Sequence, residues 1–177
     1  MKLWPRCFPS DIQASTNGEY QFVKQLTVFH TEASLLTEFS KQGVRFLVIG
    51  GLAVHLHLPE RDVAGVDLDI LIESTPENAD RVFNALSALG MNLGFDRVLI
   101  SQTSERPQQL CLKPYYNVDL VTTGRHIDFA SEWDQSEEAI VSKNQVRYAT
   151  KELLVRMKRK TGRYKDLHDI ALLEPKA

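Results

Sequence analysis

Cysteine is nearly missing from this chain of 177 residues. Cys7 and Cys111 stand far apart, without a CxxC pair or Cys/His ligand spacing, which points away from a disulfide framework or a thiolate zinc site and toward free thiols in a reducing cytoplasm. Long apolar runs are missing too. No stretch approaches the ~20 residues that a membrane-spanning helix needs, and the opening Met1 to Pro9 lacks the apolar core of a signal peptide. An excess of charge is lacking as well. A formal net charge of -2 at pH 7 speaks against a surface that coats nucleic acid, although Arg156 to Lys165 forms a local basic patch. No internal repeat, low-complexity tract or linker divides the chain.

What remains is an ordinary globular composition, 43% hydrophobic and 25% charged, in a chain long enough to enclose one core. Pro5, Pro9 and the Ala-Ser-Thr-Asn-Gly run predict an irregular arm over residues 1–18, with a single domain over 19–177. From Glu19 to His30 the apolar spacing is loosely helical. A clearer helix follows over 31–41, closed by Gly43 as a C-terminal cap.

Val44 to Ile49 reads as a strand, Leu52 to Leu58 as a short helix ended by Pro59, and Val66 to Glu73 as a second strand. Pro76 and Glu77 open a helix that reaches about Leu89. Arg97 to Ser101, Gln109 to Lys113 and Asn117 to Thr122 read as antiparallel strands flanking the second strand. Residues 124–144 are polar and irregular, with room for a helical turn. Val146 to Ala149 is a last short strand, and helices over Lys151 to Lys160 and Lys165 to Leu173 finish the chain, with Thr150 as a cap and Gly162 as the break.

Four features carry chemistry. The pair Gly50-Gly51 lies between a strand and a helix, where glycine permits close backbone approach and helix amides attract phosphate. In Asp67-Leu-Asp69, alternation puts both carboxylates on one face of an otherwise apolar strand. Like charges so close raise each other's pKa unless a cation neutralises them. Asp119, in Asn117-Val-Asp-Leu, is a third acid inside an apolar strand, and three carboxylates suit Mg²⁺, a hard cation that also holds substrate phosphates. The run from Lys158 to Asp169 supplies Lys158, Arg163 and Lys165 as a clamp for a triphosphate opposite the metal. His55 and His57, at i, i+2 on a helix, face apart and read as packing or surface residues, not as a metal pair. Tyr164 and Trp133 are aromatic rings able to stack on a base but more commonly found in packing.

In this order the features resemble the nucleotidyltransferase-fold superfamily, above all the small bacterial AbiEii-toxin-like and minimal nucleotidyltransferases. The resemblance spans roughly Val44 to Leu173 and rests on Gly50-Gly51, Asp67-x-Asp69, Val118-Asp119-Leu120, Lys158, Arg163, Lys165-Asp166 and Asp169. It implies an α+β fold, a mixed β-sheet flanked by helices with a helical C-terminal segment. It also implies Mg²⁺-dependent transfer of a nucleoside monophosphate from an NTP such as ATP to an acceptor hydroxyl. By that resemblance Asp67, Asp69 and Asp119 are the catalytic and metal-binding acids, Asp119 either completing a second metal position or acting as general base. Gly50, Gly51, Lys158, Arg163 and Lys165 hold the nucleotide phosphates.

The acceptor is a small molecule, a tRNA or a protein, recognised by this one domain, the N-terminal arm or a homodimer partner, with no membrane involved. Many relatives carry a basic residue four positions and a Thr or Ser two positions before the first aspartate. Val63 and Gly65 stand there instead, with Arg61 close by. The competing expectation is a non-catalytic nucleotide-binding or toxin–antitoxin-type interaction module.

Overall fold

The computed structural model describes residues 24–26, 30–62, 67–91, 94, 96–112 and 115–174. The predicted arm over 1–18, Cys7, Val63 and Gly65 lie outside the described residues. The fold is α+β. Its mixed sheet has the strand order β1-β6-β7-β2-β3-β5-β4, with a helical segment at the C-terminal end.

The centre of the sheet is β2 (Phe46–Ile49), buried at all four residues as a strand covered on both faces must be. It pairs antiparallel with β3 (Leu68–Ile72), register Ile49 to Asp69. The helix α2 (Gly50–His57) follows β2 without a loop. It therefore begins two residues earlier than the apolar pattern predicts, and the glycines form its first turn instead of preceding it. His57 donates from Nε2 to the Ala149 carbonyl at 2.8 Å, and His55 donates from Nδ1 to the Arg61 carbonyl at 2.6 Å, so both histidines hold chain segments together.

Beyond β3, α3 (Pro76–Ala88) starts on a Thr75 side-chain cap with proline in the first turn. The chain returns through a short helix, α4 (Val98–Ser101), where the sequence reading places a strand. Asp96 accepts from the Val98 amide at 3.1 Å and turns the backbone into that helix, which buries Ile100 and leaves Val98 exposed. Then come β4 (Gln109–Cys111) and β5 (Val118–Thr122).

The predicted antiparallel arrangement holds for β4 on β5 but not for β5 on β3. Those two run parallel, because the α3–α4 crossover returns to the end where β3 leaves the sheet and β4 then carries the chain back to the starting end before β5 enters it. The stretch expected to be irregular holds α5 (Phe129–Gln135) and β6 (Glu137–Val141). The latter forms a hairpin with β7 (Asn144–Tyr148) through a two-residue turn, Ser142-Lys143. Both turn residues have positive φ, 48° and 68°, without the Asn-Gly signature that advertises such a turn.

Before β2, the loosely helical stretch contains β1 (Lys24–Leu26), an edge strand parallel to β6, and α1 (His30–Lys41) packs on α3. The chain ends with α6 (Lys151–Thr161), capped by Thr150 and stopped by Gly162 at φ 63°, and α7 (Tyr164–Leu173). The helix α6 packs against both α2 and α7. Among the described residues no helix is long and apolar enough to cross a membrane.

Candidate functional site

Asp69 on β3 and Asp119 on β5 are register partners in the parallel pair, so their side chains leave the sheet side by side on one face. Ile49, opposite Asp69 on β2, faces the same way. Asp67 precedes the first residue of β3, so the strand predicted from Val66 supplies one in-strand aspartate of the two.

Above this face lies a cavity of about 550 Å³, bounded on its other side by residues of α6 and α7. That volume falls within the range of small-molecule sites. All eight residues singled out from the sequence line it: Gly50, Gly51, Asp67, Asp69, Asp119, Lys158, Arg163 and Lys165.

Gly50 explains how tightly the acidic end is built. Its φ is 66°, in the left-handed region that glycine occupies without penalty. A Cβ at this position would sit 1.9 Å from Oδ2 of Asp69. The Asp69 carboxylate therefore rests on bare backbone at the start of α2, and any side chain at residue 50 would occupy its place. No side chain caps α2 at Ile49, which leaves the amides of its first turn available at the cavity wall.

The two paired acids differ in environment. Asp119 is buried, and Oδ2 accepts from Gln109 Nε2 on the edge strand at 2.8 Å. Its Oδ1 is buried without a hydrogen-bond partner among the described residues. An orphaned carboxylate oxygen in that setting is costly. Asp69 is pushed up to about 6, first by burial and then by the charges of Asp119 and Asp67, against the opposing pull of Lys165 and Lys158. The sequence argument that crowded acids raise one another is met at this residue.

These features fit a hard divalent cation. The donors are carboxylate oxygens, one of them buried and unpartnered, and Mg²⁺ is typically held by one or two carboxylates together with substrate phosphates. Among the described residues no three His, Cys, Asp or Glu side chains stand as a ready-made metal cage. The strands thus provide an Asp69–Asp119 pair with Asp67 at its margin, where the sequence reading drew an Asp67–Asp69 pair joined by Asp119.

The basic residues are placed differently from the simple clamp that the sequence implies. Lys158 is buried on α6, with Nζ 2.6 Å from Asp169 Oδ2 and 3.6 Å from Asp166 Oδ1. Arg163 Nε lies 2.8 Å from Asp166 Oδ2, closing the α6–α7 turn. Both cations are already partnered by carboxylates of α7. Burial alone would raise those two acids, but hydrogen bonds outweigh it. Arg163 and Thr161 hold Asp166 down to about 2, and Lys158 and Arg61 hold Asp169 below its usual range. Lys165 has no ion pair among the described residues, so it is the cation of the predicted three that is free to meet a phosphate.

Arg61 is the functional residue that the motif reading left on the margin. Its Nε and Nη2 reach Asp169 at 3.1 and 3.4 Å, and its side chain is 18% exposed at the cavity wall. It ties the loop after α2 to α7. Arg106, Gln109, His126 and Lys160 also line the cavity. Nothing in the local sequence of the first three marks them, because the register of β4 and the bridge between Ser104 and Gly124 bring them in, while Lys160 comes with the basic run of α6. In sum, six bases (Arg61, Arg106, Lys158, Lys160, Arg163, Lys165) face six acids (Asp67, Asp69, Glu105, Asp119, Asp166, Asp169).

The chain matches no protein-family model and no curated protein. Its functional reading therefore rests on the geometry of this cavity.

Proposed function

We propose that the chain is a Mg²⁺-dependent nucleotidyltransferase that moves a nucleoside monophosphate from an NTP to an acceptor hydroxyl. The observation that supports this most is the side-by-side placement of Asp69 and Asp119 in one cavity with the Gly50-Gly51 helix start. Asp69 and Asp119 would hold the metal, with Asp67 beside them. Bound Mg²⁺ supplies electrophilic charge that offsets the charge developing on the phosphate oxygens. The first-turn amides of α2 and the Lys165 ammonium bind the triphosphate. Asp169 and Asp166 orient Arg61, Lys158 and Arg163 and keep the floor of the phosphate site from carrying an uncompensated positive charge.

In the transfer, the acceptor oxygen attacks the α-phosphorus and its proton passes to a cavity carboxylate, for which Asp119 is the candidate. The bond between the α-phosphorus and the oxygen bridging to the β-phosphate breaks, and pyrophosphate leaves in line. The acceptor class stays as wide as the resemblance leaves it: small molecule, tRNA or protein.

A second reading, nucleotide binding without turnover in an interaction module, is favoured by one feature. Lys158 and Arg163 are partnered by Asp169 and Asp166, which leaves fewer cations for the triphosphate than an open clamp would offer.

The two readings separate on incubation with labelled NTPs, Mg²⁺ and a cell extract. The wild-type chain is expected to transfer label, and the Asp67→Asn/Asp69→Asn variant to lose at least two orders of magnitude of that transfer. Transfer that persists in the double variant removes the catalytic assignment. Nucleotide binding without transfer in the wild type moves the function to the second reading.

A further inference from the structure

The cavity is chemically polarised, and the register fixes its direction. Along β3 and β5 the paired acids Asp69 and Asp119 are followed two residues on by Leu71 and Val121, again paired with each other and again lining the cavity. Two residues of strand carry the floor ~6.6 Å further. The acids and the Gly50-Gly51 turn lie at one end, because β2 runs antiparallel and reaches Ile49 opposite Asp69. At the other end β5 leaves the sheet through Gly124 to Ile127, and β4 enters it from Arg106 and Pro107, the two loops being joined by the Ser104–Gly124 bridge.

This second end has its own character. Ile127 is buried here, and Leu154 and Met157, three residues apart on one face of α6, line the cavity from the helix side. The His126 ring packs over Gly124 beside Pro107, where a Cβ at Gly124 would come within 2.6 Å of it. Lys160 places Nζ 3.1 Å from His126 Nδ1. Desolvation and then the charges of Lys160 and Arg156 hold the imidazole below its usual range.

We propose that this end is a nucleobase subsite, in which the base lies over Leu71 and Val121 against the α6 wall while Lys160 donates to O6 of guanine or O4 of uracil, so that these two bases are taken in preference to adenine and cytosine. It rests on the nucleotide reading above and adds the location and the selectivity of the base. The distance of one strand repeat from the acids suits a base attached through ribose to a phosphate held at Asp69 and Asp119. An apolar slab with one or two placed donors is how proteins hold planar heterocycles. Adenine and cytosine offer an amino donor where guanine offers O6 and uracil O4, so an ammonium donor discriminates against both.

The test is titration calorimetry of the full chain with Mg²⁺ and, separately, tripolyphosphate, ATP, GTP, CTP and UTP. GTP and UTP are expected to bind about tenfold more tightly than ATP and CTP, the worth of one charge-assisted hydrogen bond. In Lys160→Ala, an exposed position, the ratio to ATP should fall to about twofold or less even if all affinities drop together with the lost charge. Tripolyphosphate binding as tightly as every NTP, a preference for ATP, or a ratio unchanged in Lys160→Ala overturns the subsite while the nucleotide reading stands. If neither tripolyphosphate nor any NTP binds, both fall.

Discussion

Asp69 is held in a position that costs the apo protein stability. Its carboxylate is desolvated, faces Asp119 and Asp67, and is raised from an ordinary 3.8 to about 6. An acid raised on folding binds more protons in the native than in the unfolded state between those values, so the fold loses stability as pH rises through that window. Above pH 6 the full penalty is present. Asp69→Asn keeps the shape and removes the charge, and is therefore expected to stabilise the metal-free chain at pH 8 by about 1–3 kcal/mol. The gain should shrink as pH falls from 6 toward 4. Urea denaturation at pH 8 and pH 4.5 measures it, and an Asn variant less stable than wild type at pH 8 would show that Asp69 is not under electrostatic stress. The combination of higher stability and lost activity is the mark of a functional acid, since a structural one would be missed by the fold.

At the scale of elements, α6 and α7 form one electrostatic unit. Asp169, its side chain 4% exposed, receives both Lys158 from α6 and Arg61 from the loop after α2. Removing its charge leaves Arg61 without its carboxylate and Lys158 with only the longer contact to Asp166, so Asp169→Asn is expected to cost about 2–4 kcal/mol in urea denaturation at neutral pH. A loss under about 0.5 kcal/mol would mean the ion pairs are replaceable by water. The acid side follows from the depressed pKa values of Asp166 and Asp169. Their contribution is fully present above the unfolded value near 4 and is lost as pH falls toward 2.

Legibility in the sequence divides along the same lines. Elements with strong local signals stood out: the apolar run of β2, Thr75-Pro76 at α3, and Thr150 with Gly162 around α6. The site acids stood out because a charge inside an apolar strand is conspicuous. What was hidden was non-local. Nothing in 97–101 tells a short helix from a short strand until Asp96 turns the chain. The Ser142-Lys143 turn uses residues with no preference for positive φ. The parallel β3–β5 pairing, which sets Asp69 beside Asp119, depends on the crossover, and no residue within either strand encodes it.

The whole molecule brings these scales together. A seven-stranded sheet supplies a rigid floor, three short loops and two helices close a cavity over it, and six bases and six acids balance within that cavity. The balance is uneven in space. Arg61, Lys158 and Arg163 are partnered by Asp166 and Asp169, while among the described residues Asp69 has no ion pair and Oδ1 of Asp119 no hydrogen-bond partner. On the proposed reading a divalent cation would complete the neutralisation, competing with the proton that Asp69 takes up near pH 6. Binding therefore releases protons. Mn²⁺ or Mg²⁺ affinity is expected to be flat above about pH 7 and to fall below pH 6 by as much as tenfold per pH unit, the limit for one competing proton. Calorimetry in two buffers of different ionisation enthalpy reads the released fraction, expected at about half a proton near pH 6. In Asp69→Asn the residual affinity should lose that pH dependence. An affinity that stays level from pH 8 to pH 5 in the wild type would place the cation away from Asp69, and with it the phosphates.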